Sequence, residues 1–239
     1  EIEKLGKHIF GIGVWAPSTS QVAVDYARNN LQVHTAVTIA TNGQWSLAVA
    51  KSFQEQFQDK EGHILHSFIV NPDETDFRSL ITRINQLKPD MLYAPLSDHQ
   101  VPFWKQLHSS GYQGIRMTSD VLNEELLAEI GPLANGIYQT QVADPKHKKT
   151  QLMRDAYKRY FHKECTQTFL TALGYDGVHL AYQALQAAPL QNEEEITDAL
   201  YKIHEYPGAS GMTTISPEGS ARKSASMFLV EDGKLVNNS

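Results

Sequence analysis

The chain has 239 residues, 41% hydrophobic and 20% charged, an ordinary globular balance with room for one large domain or two modest ones. Its net charge of -6 argues against nucleic acid as the main partner, because phosphate binding needs a basic face. The single cysteine, Cys165, rules out an internal disulfide, and no apolar run reaches the roughly 18 residues of a membrane span.

The first residue is Glu and no signal peptide opens the chain, as expected of a start that has been processed or trimmed. Short apolar runs at His8–Val14, Thr35–Ala40, Ile64–Val70, Met91–Pro95, Ile115–Thr118 and Ile137–Gln141 predict strands. Helical periodicity lies between them. Val49, Phe53 and Phe57 share one face at four-residue spacing, and Phe77, Leu80, Ile81, Ile84 and Leu87 form a continuous stripe. Trp104 belongs with Val101 and Leu107 on another apolar helix face. Such alternation predicts a parallel, Rossmann-like sheet with helices on both faces.

The rhythm changes near residue 142. The basic run Lys146-His147-Lys148-Lys149 reads as a solvated helix start. Leu152 to Tyr160, Phe169 to Leu185 and Ile196 to Ile203 then follow as three helices with no strand between them. Their apolar faces, with Leu152, Met153, Tyr157 and Tyr160, are expected to cover a sheet whose strands mostly lie outside this chain. The tail reads as a strand at Met212–Ile215, a turn at Pro217-Glu218-Gly219, a strand at Met227–Val230 and a turn at Asp232-Gly233. The chain is expected to leave one α/β lobe, visit the helical remainder of a second, and return.

Motifs for catalysis are weak or missing. Gly11-Ile12-Gly13-Val14-Trp15-Ala16 fits a loose dinucleotide pattern, but Pro17 follows and the next strand ends in Thr41-Asn42 instead of an acid. There is no nucleophile elbow and no phosphate-cradling loop. Cys165 has His162 three residues away, and an idle buried thiol is the simpler reading. His63 and His66 on a regular strand would point to opposite faces and form no metal pair. No catalytic residue, cofactor or metal is expected.

In open α/β sheets, ligands sit beyond the carboxyl ends of the strands. The first strand leads to Trp15, Ser18 and Thr19, and the second to Asn42 and Trp45. The strand near Tyr93 leads to Ser97 and Asp98, and Ile115–Thr118 leads to Ser119 and Asp120. Two tryptophans, two carboxylates and several hydroxyls on one rim suit a small polar or zwitterionic ligand gripped by aromatics. Two structural alternatives stay open: Trp45 packing its own helix against the sheet, and Asp120 capping the next helix.

At these residues the chain resembles the periplasmic amino-acid-binding receptors of ABC transporters, of the leucine/isoleucine/valine type. The likeness rests on an ordered set: Asp73-Glu74-Thr75-Asp76-Phe77, Lys88-Pro89-Asp90-Met91-Leu92-Tyr93, Ala134-Asn135-Gly136-Ile137-Tyr138, Tyr175-Asp176-Gly177-Val178 and Gly208 to Gly219. In that family two α/β lobes joined by three crossovers close on the solute like a trap. The resemblance implies that residues 12–142 and 226–239 form the second, carboxy-terminal lobe. Residues 1–11 and 143–225 would be the remainder of the first, whose amino-terminal half-lobe is missing. Trp45 falls where the family has a tyrosine against the ligand, Asp120 where an acid pairs with the ligand ammonium, and Ser97 where an aromatic is frequent.

The function so implied is that of a non-enzymatic solute-binding protein, periplasmic or extracellular. It would bind an amino acid or similar small polar molecule between the lobes and hand it to the membrane permease of an ABC transporter. The alternative is a ligand-sensing module of a signalling protein, using the same pocket.

Overall fold

The computed structural model describes residues 5–14, 16–190 and 192–238. The chain divides into two compact units. One takes the residues up to Ser18 together with Val142–Ala225, the other Thr19–Gln141 and the residues from Ser226 on.

The second unit is built on strands β1 (Thr35–Thr41), β2 (His63–Val70), β3 (Met91–Tyr93), β4 (Ile115–Ser119) and β5 (Ile137–Gln141), all parallel. The hairpin β9 (Ser226–Glu231) and β10 (Lys234–Asn237) extends the sheet, β9 lying antiparallel to β5. The sheet order is β10-β9-β5-β4-β3-β1-β2. The order therefore reverses between β1 and β3, the topological switch point at which such sheets leave a crevice. Six of the seven residues of β1 are buried, as expected of a strand covered on both faces.

Five helices pack this sheet: α1 (Ala16–Asn29), α2 (Gln44–Asp59), α3 (Arg78–Leu87), α4 (Gln100–Ser109) and α5 (Glu124–Ile130). Phe53 and Phe57 of α2 are fully buried, and Phe53 stacks on Tyr93 of β3 at 4.1 Å between ring centroids. On the opposite side Ile81 and Ile84 of α3 and Phe103, Trp104 and Leu107 of α4 pack with Val37, Ile39 and Leu92 in one core. The helical stripes read from the sequence are largely these buried faces, with Leu87 at the end of α3 38% exposed.

The first unit holds α6 (Lys148–Phe161), α7 (Thr168–Ala187) and α8 (Glu193–Tyr201), with an antiparallel sheet of β6 (Tyr206–Gly208), β7 (Gly211–Ile215) and β8 (Ala221–Lys223). Its buried centre includes Met153, Ala143, Ala172 and Ala209. Leu152 and Tyr160, on the faces expected to meet strands that lie outside this chain, are 52% and 79% exposed. Helix α7 also leaves Val178 and Tyr182 open, although Asp176 and His179 are the only titratable residues besides tyrosine along its length. Among the described residues no helix is long and apolar enough to cross a membrane.

Two expectations fail here. His8–Val14 is not a strand: only Gly11 pairs, in an isolated bridge with Ser220. Gly11 and Gly13 bring no side chains to pack, and Ile9 is 45% exposed, so burial does not support a ladder. In β2 the register shifts at Ala36/Val37 and skips Leu65, placing His63 opposite Thr35 and His66 opposite Val37. The bulge restores both histidines to one face, against the separation that plain alternation predicts.

Candidate functional site

The carboxyl ends of β1 and β3 flank the switch point, and hydrogen bonds tie their loops together. The Thr41 backbone N–H donates to Ser46 Oγ at 2.8 Å, and the Ser46 hydroxyl donates to the Pro95 carbonyl at 2.5 Å. The Ser97 N–H donates to Thr41 Oγ1 at 3.1 Å. Asn42 is exposed, its backbone N–H donating to the Val70 carbonyl at 2.7 Å. Trp45, the second residue of α2, is half-buried. Ser97 and Asp98 are exposed on the facing loop, followed by His99 in the left-handed region at φ 51°. Polar side chains and an indole thus flank the crevice on a braced pair of loops.

The end of β4 contributes Asp120, half-buried and also left-handed, at φ 47°. Its N–H donates to the Thr140 carbonyl at 2.8 Å, and its Oδ2 accepts the Ser119 hydroxyl at 2.9 Å. Ser119 Oγ in turn accepts from Thr140 Oγ1 at 3.1 Å. Beneath this row lies Tyr93, whose phenol is pushed well up by burial, with Ser119 and Ser20 beside its hydroxyl. Asp120 is not the cap of α5. That role belongs to Asn123, whose side chain accepts from the N–H groups of Glu125 and Leu126.

Of the seven candidates read from the sequence, Asn42, Trp45, Ser97, Asp98 and Asp120 lie past the carboxyl ends of the neighbouring strands β1, β3 and β4. Ser18 is the third residue of α1 and belongs to the other unit, and the strand expected to lead to it does not form. Thr19 is buried in the same helix. Trp15 lies outside the described residues. Sequence reasoning missed Ser46, which bridges the two loops, and Gln139, which braces the segment after Asp120. The signal for Gln139 was available: Gln139 and Gln141 fall on one face of a strand expected to be buried on both.

Among the described residues no group of three or more His, Cys, Asp or Glu side chains is placed to hold a metal. Cys165 is buried, a position that suits an inert thiol.

The sequence profile of the periplasmic binding protein family matches residues 5–234. No curated protein matches the chain. Among solved structures it is similar to the leucine binding protein LivK of Thermotoga maritima, with a TM-score of 0.83 and 22% identity over 94% of this chain and 65% of that one. It is similar to LivJ of Streptococcus pneumoniae, the substrate binding protein of a branched-chain amino acid transporter, in complex with isoleucine (TM-score 0.82, 24% identity, 98% and 69% covered). An ABC-transporter solute binding protein of R. palustris in complex with benzoate is similar at a TM-score of 0.83 and 18% identity, with 96% and 64% covered. The chain thus spans about two thirds of the length of these structures, and at these identities the likeness is one of fold. The profile match over nearly the whole chain and the doubly wound sheet lead to one conclusion: the chain belongs to the periplasmic binding protein family.

Proposed function

We infer that the chain is a non-enzymatic solute-binding protein that takes an amino acid or similar small polar molecule at the carboxyl ends of β1, β3 and β4. The reading extends to delivery of that solute to the membrane permease of an ABC transporter, in the periplasm or outside the cell. The unit of Thr19–Gln141 and the returning hairpin is read as the family's second lobe, and the other unit as the remainder of the first.

The observation that carries the reading is Asp120. A half-buried carboxylate stands past the end of β4, on a fixed left-handed turn, next to the crevice that Asn42, Trp45 and Ser97 flank. An ammonium group is its natural partner, and an indole face supplies apolar and cation–π contact. The complexes with isoleucine and with benzoate set the choice between relatives: an amino acid offers an ammonium to Asp120, and benzoate offers none.

Thermal unfolding of the protein with each of the twenty amino acids and with benzoate tests this. A ligand at one hundred times its Kd stabilises by about 2.7 kcal/mol, an easily read rise in midpoint. At least one amino acid is expected to give it. A rise with benzoate and with no amino acid would overturn the ammonium reading.

A further inference from the structure

We propose that Gln139 is the positioning residue for Asp120, holding the turn that sets where the carboxylate sits. The proposal rests on the amino-acid reading of the site and deepens it. Gln139 is fully buried in the middle of β5, paired with Thr118 on one side and Phe228 on the other. A buried primary amide in a core strand is costly unless every polar atom finds a partner. This one does. Its Oε1 accepts the N–H of Leu122 at 2.7 Å and of Val121 at 3.3 Å, and its Nε2 donates to the Leu122 carbonyl at 3.0 Å and to Gln141 Oε1 at 2.7 Å.

Three of those four bonds go to backbone, and all three go to the two residues that follow Asp120. Residues 120–122 leave β4 just past its last ladder pair, Ser119 with Thr140, and turn towards α5, with the Asp120 N–H donating to the Thr140 carbonyl. Thr140 holds the near end of the turn and Gln139 the far end, both from β5. Between them the φ of 47° at Asp120 is fixed from two sides. A side chain of the same length without the amide fills the space and leaves the turn unheld. Asp120 is then free to relax towards ordinary backbone angles, which swing its carboxylate away from the crevice.

The test compares the unsubstituted protein with Gln139→Met, Asp120→Ala and the double variant. Two probes are titrated: L-leucine, and 4-methylpentanoate, which is leucine without its amino group. Amide hydrogen exchange is followed in the same proteins without ligand. Gln139→Met is expected to speed exchange at Asp120, Val121 and Leu122 at least tenfold, with Ile39 and Leu92 unchanged. It is expected to weaken leucine by roughly the same factor as Asp120→Ala, on the order of 30-fold or more for loss of a desolvated charge partner, and 4-methylpentanoate by less than twofold. The double variant is expected to bind leucine no more weakly than Asp120→Ala. Equal weakening of both probes, or full additivity in the double variant, would assign Gln139 a merely structural role and overturn the proposal. So would unchanged exchange at residues 120–122. If the unsubstituted protein binds neither probe, leucine is not its ligand, and the exchange result decides the positioning by itself.

Discussion

Asp120 and Thr140 are joined by a backbone hydrogen bond of 2.8 Å from the Asp120 N–H to the Thr140 carbonyl, the last rung of the β4–β5 ladder before the chain leaves the sheet. Strand pairing runs as far as Ser119 opposite Thr140, and Asp120 then takes a left-handed conformation. Asp adopts that region more readily than most residues. The carboxylate is displayed by the sheet itself and is independent of the helix that follows, which Asn123 caps.

Removing that carboxylate is expected to cost binding without costing the fold. Asp120→Ala leaves the cap of α5 and the strand register in place, so the fold is kept and stability without ligand falls only by the roughly 1–2 kcal/mol that the left-handed region costs alanine. Affinity for an amino acid falls by about 2–5 kcal/mol, because a desolvated ammonium loses its partner. Calorimetric titration checks this, and equal affinities in the two proteins would remove Asp120 from the site.

Trp45 and Trp104 are expected to behave oppositely on ligand addition. Trp45 is half-buried at the start of α2, whereas Trp104 is fully buried with its indole N–H donating to Gln100 Oε1 at 2.8 Å. Ligand addition should change tryptophan emission, and Trp45→Ala should abolish most of that change and weaken binding by about 1–3 kcal/mol. A signal that survives Trp45→Ala and disappears in Trp104→Phe would place the ligand elsewhere. Trp15→Phe serves as the control for the third tryptophan.

In the first unit, stability should rise with pH because of Lys223. Burial lowers its pKa from 10.5 to about 8, partly offset by Asp176, while its ammonium donates to Ser210 Oγ and Thr213 Oγ1, both at 2.7 Å. An unfolded chain keeps this proton up to the ordinary lysine pKa and the folded one releases it earlier. Between about pH 8 and 10.5 the unfolded state therefore binds more protons, and folding becomes more favourable as pH rises through that window. Urea midpoints measured across the window should climb for the parent and climb less for Lys223→Met. Parallel curves for the two proteins would show that Lys223 is not responsible.

Gly208→Ala is expected to destabilise the same unit. Its new methyl would collide with the Asp176 carboxylate, which cannot move aside. Asp176 is fully buried and accepts from the N–H groups of Ala209 and Ser210, each at 2.7 Å, and from the Ser210 hydroxyl at 2.5 Å. Overpacking of this kind costs about 1–3 kcal/mol. Chemical denaturation reads it directly, and a neutral result would mean that the β6–β7 turn yields easily.

The sequence by itself determined the doubly wound core. Strands buried on both faces read as short apolar runs, as β1 and β3 do, whereas the edge strand β2 is half exposed and β4 and β5 carry polar residues among their apolar ones. The stripes of α2, α3 and α4 stand out because Phe53, Ile84 and Trp104 recur at helical spacing against a polar background. Helix α1 stayed hidden since its buried side is made of Thr19, Ser20, Ala23, Val24 and Ala27, too small and too mixed to give a clear period. The three-residue strands β6 and β8 are shorter than any periodic signal, and they exist only because β7 pairs with both. Asn42, Trp45, Ser97, Asp98 and Asp120 could be listed from the rule that ligands sit past strand ends. Tertiary structure alone decided that Ser18 falls on a helix and not past a strand end, that Asn123 rather than Asp120 caps α5, and that Gln139 reaches Leu122 from the next strand. Each of these depends on hydrogen bonds between residues far apart in the chain or on the local angle of a turn, and a hydrophobic pattern carries information about neither.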